Sequence, residues 1–109
     1  MFIAEELAYE LVKELRPHVD AIQKRDRDLA QQARRAASSI ALNLAEGSQR
    51  QGKDRLHHYR IAGGSAAELK AALRLASAWG YVDERGFGAT ISLVKRVLYM
   101  IWRLTTAAA

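Results

Sequence analysis

The chain has 109 residues, of which 50% are hydrophobic and one is proline, and this composition predicts one compact helical domain over residues 1–109 rather than a disordered or multidomain chain. It has no cysteine, which excludes disulfides and thiol nucleophiles, and no apolar run of about 18 residues or basic, apolar leader, so we expect a cytoplasmic protein without a membrane span. The formal net charge of +5 permits a polyanionic partner such as nucleic acid without establishing one.

The first predicted helix covers residues 3–23. Apolar residues recur there at intervals of three and four, which is the spacing of one helix face. The residues expected to face the core are Ala4, Leu7, Leu11, Leu15, Val19 and Ile22. Pro17 lacks an amide hydrogen and crowds the preceding turn, so we expect a bend over residues 13–16 or a complete break.

The second predicted helix covers residues 27–47 and is dense in alanine and serine. Asp26 or Asp28 is expected to cap its first amide groups, and Gly47 is expected to end it in a left-handed conformation. Its core face consists of Leu29, Ala33, Ala36, Ala37, Ile40 and Leu44. The opposite face is too small and too apolar for a solvated surface, which predicts contact with a second copy of the chain. The predicted subunit interface consists of Arg34, Ser38, Ala41, Leu42 and Ala45.

A turn over residues 48–52 precedes the third predicted helix, residues 53–79. Its inward residues are predicted to be His58, Ala62, Ser65, Ala66, Leu69, Leu73 and Ala76. Gly63 and Gly64 each cost about 1 kcal/mol relative to alanine in a helix, so we expect another helix to approach them closely.

The fourth predicted helix covers residues 86–105 and begins near Asp83 or Gly86. Its inward residues are predicted to be Val94, Val97, Leu98, Ile101 and Leu104. Four helices joined by short connections predict an all-α, antiparallel up-down-up-down four-helix bundle.

Two segments in this order, RRAASSIALNLAEG over residues 34–47 and IAGGSAAEL over residues 61–69, carry a family resemblance. The chain resembles the small four-helix-bundle family that includes the 23S rRNA intervening-sequence proteins and the accessory variability determinants of diversity-generating retroelements. The matching residues are Arg34, Arg35, Asn43, Glu46, Gly47, Gly64, Ser65 and Glu68. The resemblance implies a homopentamer arranged as a barrel and, by analogy with the accessory variability determinants, binding to nucleic acid and to a reverse transcriptase.

The sequence shows no convincing active site. His57 and His58 are adjacent in a helix and point about 100° apart, so they cannot hold one metal ion together. Ser38 and Ser39 lack a base at a predictable distance and are interpreted as helix-packing residues. We therefore expect no enzyme activity, no metal site and no cofactor.

A polar line runs along the second helix through Arg35, Ser39, Asn43, Glu46 and Arg50. It is either a recognition surface or, as we favour, a hydrogen-bonded seam between helices or subunits.

Glu68 lies on an otherwise apolar stripe of the third helix. Because burying an unpaired charge costs several kcal/mol, we expect Glu68 to pair with Arg34 or Arg35.

Basic side chains on the third and fourth helices are the candidates for nucleic-acid binding. They are Lys53, Arg60, Lys70 and Arg74 on the third helix, and Arg96 and Arg103 on the fourth, around Tyr99. His57 and Tyr59 beside Arg60 suggest stacking on a single strand. A solvated basic face that only confers solubility is the alternative interpretation.

The preferred function is a non-enzymatic, homo-oligomeric basic scaffold that binds nucleic acid or a nucleic-acid enzyme such as a reverse transcriptase. The alternative is an interaction module that docks an acidic protein partner without binding nucleic acid. Association with the ribosome is a third interpretation, which rests on the family name alone.

Overall fold

The computed structural model describes residues 2–107 and contains four α-helices. They are α1 (Ile3–Gln23), α2 (Arg27–Ser48), α3 (Gly52–Ala78) and α4 (Glu84–Ala107). Each of α1 and α3 packs against both α2 and α4, so the four helices enclose one core. No strand occurs within residues 2–107, which confirms the all-α prediction. Among the described helices, none has the length and apolar character needed to cross a bilayer.

The helix α1 is continuous through Pro17. The predicted core face is largely correct, because Ala4, Leu11, Leu15, Val19 and Ile22 are buried, together with Ala8. Leu7, which was predicted to be buried, is half-buried, since it lies at the edge of this face. The complete break at Pro17 that the sequence left open does not occur.

The helix α2 begins with an Asp26 cap and ends one residue after Gly47. The Asp26 Oδ1 atom accepts a hydrogen bond of 3.0 Å from the Leu29 amide, which satisfies one of the free amide groups of the first turn. The prediction of a left-handed backbone conformation at Gly47 is wrong. Among the described glycines, positive φ occurs at Gly52 (60°) and Gly80 (77°), which lie at the start of α3 and after its end.

Gly47 is instead a site of close helix packing. It is buried within the last turn of α2, and a Cβ atom built there would lie 2.6 Å from the Tyr59 Cε1 atom and 3.2 Å from the His58 Cβ atom. No side chain fits at these distances unless the Tyr59 ring moves. The glycine therefore allows α3 to approach α2.

The two central glycines of α3 have different surroundings. A Cβ atom built at Gly63 would lie 3.3 Å from the Ile101 Cγ2 atom, so α4 approaches this glycine as expected. A Cβ atom at Gly64 would have no other atom within 4 Å, so no helix of the same chain packs there. The expectation of a close neighbour is wrong for Gly64 within one chain.

The core faces of α3 and α4 follow the predicted periodicity with a few differences. Buried residues of α3 are Tyr59, Ala62, Ala66, Leu69, Ala72, Leu73 and Ala76, and those of α4 are Phe87, Thr90, Leu93, Val94, Val97 and Ile101. His58 and Ser65, which were predicted to face inward, are half-buried because they lie along the boundary with α2. Leu98 and Leu104 are also half-buried.

Candidate nucleic-acid interface

A basic groove of about 810 Å³ lies between the C-terminal half of α3 and the N-terminal half of α4. Lys70 and Arg74 of α3 and Lys95 of α4 line it. Its other lining residues are small or apolar, and they are Ser77, Ala78, Phe87, Gly88, Ile91 and Ser92. The groove therefore combines three cationic side chains with an uncharged floor.

The three cations of the basic groove have no acidic partner among the described side chains. The acidic residues of α3 are Asp54 and Glu68, and helix geometry places both about 160° around the axis from Lys70. From Arg85 onward the sequence contains four basic residues and no acidic residue. No described side chain forms an ion pair with these three cations, which favours a positive potential at the groove.

An aromatic pair lies farther along α4. Tyr99 and Trp102 are each 56% exposed, and their ring centroids are 6.0 Å apart with an interplanar angle of 30°. The Arg103 guanidinium lies 5.9 Å from the centre of the Tyr99 ring and donates a hydrogen bond of 3.4 Å to its hydroxyl oxygen. An exposed aromatic pair beside a cation is typical of surfaces that bind single-stranded nucleic acid.

A smaller groove of about 230 Å³ joins the aromatic pair to α3. Arg60 and Trp102 line it, and its remaining lining residues are Tyr59, Gly63, Leu98, Ile101 and Thr105. We refer to the basic groove, the aromatic pair and this smaller groove together as the α3/α4 face. All of its charged residues are cations.

The α3/α4 face contains four of the six basic residues predicted to bind nucleic acid. Lys70 and Arg74 line the basic groove, Arg60 lines the smaller groove, and Arg103 contacts Tyr99. The two remaining predicted residues, Lys53 and Arg96, are exposed but line none of the grooves described here.

Sequence reasoning missed Lys95 and Trp102. The two residues are seven positions apart, which places them on one side of a helix, and Tyr99 lies between them at a spacing of three and four. This spacing is the sequence signal that could have placed Lys95 and Trp102 in the site. It becomes informative only when the packing shows which side of α4 meets α3.

The stacking role predicted for Tyr59 is wrong. Tyr59 is only 6% exposed, and its ring centroid lies 5.8 Å from that of Phe2. Burial raises the pKa of the Tyr59 hydroxyl above its ordinary value, and Glu5 adds to the rise while Arg55 opposes it. Tyr59 is therefore a core residue, whereas Tyr99 and Trp102 are exposed.

Comparison with protein families identifies the chain. The model of a family described as 23S rRNA-intervening sequence protein matches residues 2–103. The chain belongs to the 23S rRNA-intervening sequence protein family. This membership confirms the resemblance to that family noted in the sequence.

A solved structure has the same fold as this member of the 23S rRNA-intervening sequence protein family. It is a protein of unknown function from the S23 ribosomal protein family of Bacteroides thetaiotaomicron, with a TM-score of 0.85 and 16% sequence identity. The alignment covers 94% of this chain and 97% of that one. Comparison with functionally curated proteins finds no match.

Several motif residues of this family member form a polar seam between α2 and α3. The Ser65 hydroxyl donates a hydrogen bond of 2.7 Å to the Ser39 hydroxyl oxygen. The Asn43 amide nitrogen donates to the Ser39 carbonyl oxygen at 2.9 Å, and the Asn43 amide oxygen lies 3.1 Å from His58 Nδ1. These contacts support the interpretation of Ser39 and Asn43 as a hydrogen-bonded seam.

Ion pairs continue from the polar seam to the end of α2. Arg50 contacts Glu46 at 2.6 Å and Asp54 at 2.9 Å, and these hydrogen bonds raise the pKa of the Arg50 guanidinium. Arg35 lies outside this network, since it is exposed and makes no polar contact with the described residues. His58 Nε2 lies 4.0 Å from Asp54 Oδ1, which joins the polar seam to these ion pairs, so the predicted polar line belongs to one network without Arg35.

The predicted pairing of Glu68 with Arg34 or Arg35 is wrong within one chain. Arg34 turns toward α1, where it donates a hydrogen bond of 2.8 Å to Gln23 and lies 3.9 Å from Asp20. Glu68 is exposed and has no ion pair among the described residues. Because its carboxylate is hydrated, it needs no buried partner.

The residues predicted to form a subunit interface are unequally exposed in one chain. Leu42 is 69% exposed, and Arg34 and Ser38 are also exposed. Ala45 is half-buried. Ala41 is only 7% exposed and belongs to the core of its own chain, so it offers little surface to a second copy.

Proposed function

We propose that this protein is a non-enzymatic, homo-oligomeric scaffold whose α3/α4 face binds the phosphate backbone of nucleic acid, alone or together with a nucleic-acid enzyme such as a reverse transcriptase. The observation that carries the proposal is the basic groove, where Lys70, Arg74 and Lys95 have no acidic partner among the side chains that the structure describes. Lysine and arginine bind phosphates by releasing condensed counterions, which needs no base-specific contact. The proposed binding is therefore strongly dependent on salt.

Assembly into a homo-oligomer would repeat the α3/α4 face once in each subunit. Within the proposed antiparallel bundle, three contacts set the register of α2 and α3: Ser39 to Ser65, Asn43 to His58 and Gly47 to Tyr59. From the first contact to the second, residue numbers increase on α2 and decrease on α3, and short connections favour the same arrangement elsewhere. A ring of copies would then present several identical basic grooves to one strand.

The outward surface of α2 and α3 supports the homo-oligomer. Leu42 and Leu75 are 69% and 50% exposed, and Gly64 has open space where a side chain would begin. Exposed apolar side chains suit contact with another helix, and open space at a glycine allows that helix to approach closely. We propose that a second copy covers this surface, and the pentameric barrel follows from the family resemblance.

Solution mass tests the assembly. Leu42→Glu is expected to lower the subunit number, because it introduces a charge into the proposed contact. Ile3→Glu is the matched control, since Ile3 is 59% exposed on α1 and outside that surface. Light scattering after size-exclusion chromatography measures both. A monomeric wild type at micromolar concentration, or equal masses for wild type and Leu42→Glu, contradicts the proposed interface.

Charge reversal tests the nucleic-acid site. One triple variant replaces the basic-groove residues with glutamate, and the control makes the same change at three exposed residues of α1, the first connection and α2. The groove variant changes Lys70, Arg74 and Lys95, and the control changes Lys13, Lys24 and Arg27. Each substitution removes two units of charge, so both proteins fall from a formal +5 to −1.

Binding of a fluorescently labelled oligonucleotide at low salt distinguishes a local site from net charge. We expect the groove variant to lose most of its affinity and the control to keep substantially more. Equal losses of affinity in the groove variant and the control would mean that binding depends only on the net charge of the protein. No binding by the wild-type protein would contradict the function and favour docking of an acidic protein partner.

A further inference from the structure

We propose that the aromatic pair, Tyr99 and Trp102, binds an unpaired base, so that the nucleic acid held on the α3/α4 face is single-stranded. This site deepens the proposed function and rests on it. Both rings are more than half exposed, and the two arginines of this region, Arg60 and Arg103, flank them. Stacking on an aromatic face does not depend on which base is present.

The size of the smaller groove suits a ligand as small as one base. Its volume of about 230 Å³ is below the range of about 300–1,000 Å³ that is typical of pockets for whole ligands. Trp102 lines it together with Leu98 and Ile101, two apolar side chains that offer no hydrogen bond to a base edge. Arg60 is the cation of this groove and is available to the adjoining phosphate.

The aromatic pair lies within reach of a strand held in the basic groove. Lys95 and Trp102 are seven residues apart on α4, which corresponds to about 10 Å along the helix. At about 3.4 Å per nucleotide of a stacked strand, this distance spans roughly three phosphates. A single strand can therefore place phosphates on Lys95 and a base on Trp102 together.

Charge complementarity selects this ligand over an apolar partner. Every charged residue of the α3/α4 face is a cation, and Arg103 lies against the Tyr99 ring itself. A protein surface that was mainly apolar would leave these cations without counter-charges. In a duplex the bases are paired and stacked inside, so the aromatic pair can contact only a strand whose bases are free.

The test compares three ligands and two variants. The ligands are a labelled mixed-sequence DNA strand, the same strand annealed to its complement, and a strand of equal length with abasic sites. The test variant is Tyr99→Leu/Trp102→Leu. The control is Trp79→Leu, which also removes an exposed tryptophan; Trp79 is 66% exposed, is stacked on Tyr81 and is not a lining residue of either groove.

We expect the test variant to bind the single strand about ten-fold more weakly, as loss of one stacked base predicts. Its affinity for the duplex and for the abasic strand is expected to stay within about two-fold of wild type. The control is expected to match wild type on all three ligands. Fluorescence anisotropy at constant salt measures each affinity.

A second measurement observes the stacking directly. Trp79→Phe leaves Trp102 as the sole tryptophan of the chain. Base stacking is expected to quench its fluorescence with the single strand and not with the abasic strand.

Four results would overturn the stacking site. Equal losses on single strand and duplex, or no loss on either, would overturn it while leaving the proposed backbone binding intact. A reduced subunit number in Tyr99→Leu/Trp102→Leu would show that the pair is buried between copies of the chain. Absence of binding to any ligand by wild type would overturn both the stacking site and the proposed function.

Discussion

Replacing Gly47 with alanine is predicted to destabilise the protein, although the same change at an unconstrained helix position stabilises by about 0.5–1 kcal/mol. The added Cβ atom would lie 2.6 Å from Cε1 and 2.8 Å from Cδ1 of Tyr59. The Tyr59 ring is 6% exposed and lies against Phe2, so it has little room to move. Overpacking of this kind costs about 1–3 kcal/mol.

The net effect of Gly47→Ala is expected to be a loss of about 1–2 kcal/mol in the free energy of unfolding. For a domain of this size, that loss lowers Tm by roughly 5–10 °C. Urea and thermal denaturation followed by far-UV circular dichroism measure the two quantities.

Two companion variants isolate the contact between Gly47 and Tyr59. Gly88→Ala is the control, because a Cβ atom there has no other atom within 4 Å, and it is expected to stabilise by about 0.5–1 kcal/mol. Tyr59→Leu is expected to remove most of the penalty for Gly47→Ala in a double-mutant cycle. If Gly47→Ala proves as stable as wild type, close approach of α3 is not the reason for glycine at this position.

Three further predictions concern the α2 cap, the polar seam and the buried tyrosine. Asp26→Ala is expected to lose about 1 kcal/mol in urea denaturation, because the Leu29 amide loses its acceptor, and Asp26→Ser is expected to keep most of the stability; equal losses would contradict the cap. Asn43→Ala is expected to cost about 1 kcal/mol in the same assay, since His58 loses its partner, and an unchanged midpoint would mean that the seam adds no stability. Burial raises the pKa of Tyr59 in the folded state, so the protonated form is favoured there and its stabilisation is present below about pH 10 and lost as the pH rises further. Denaturation of wild type and Tyr59→Phe at about pH 8 and about pH 11 is expected to show a smaller alkaline loss in the variant, and equal losses would exclude Tyr59 as a source.

The helices were predictable because their formation depends mainly on residues that are close together in the sequence. Apolar spacing identified most of the core residues of α1, α2 and α3 and half of those of α4, and the Asp26 cap follows from its position before an apolar-periodic segment. Gly47 shows that local sequence patterns do not predict contacts between helices. A glycine near a helix terminus predicts a left-handed end, whereas its actual role depends on Tyr59, twelve residues away on another helix.

The candidate site was predictable only in part, for the same reason. Spacing along α3 identified Lys70 and Arg74, but the contribution of Lys95 depends on how α4 packs beside α3. Tyr59 and Tyr99 both lie close in sequence to an arginine, and only the tertiary structure shows that the first is buried and the second exposed. Sequence spacing places a side chain on a helix face, whereas packing decides which faces meet.

The salt dependence of nucleic-acid binding tests most directly whether the basic groove holds a phosphate backbone. The logarithm of the binding constant of a single-stranded oligonucleotide is measured against the logarithm of salt concentration for wild type and for Lys70→Gln/Arg74→Gln/Lys95→Gln. Each phosphate contact contributes about 0.7 to the slope for a single strand, so removing three cations from one groove is expected to make the slope shallower by about 2. A wild-type slope near zero, or an identical slope in the variant, would contradict phosphate binding in this groove.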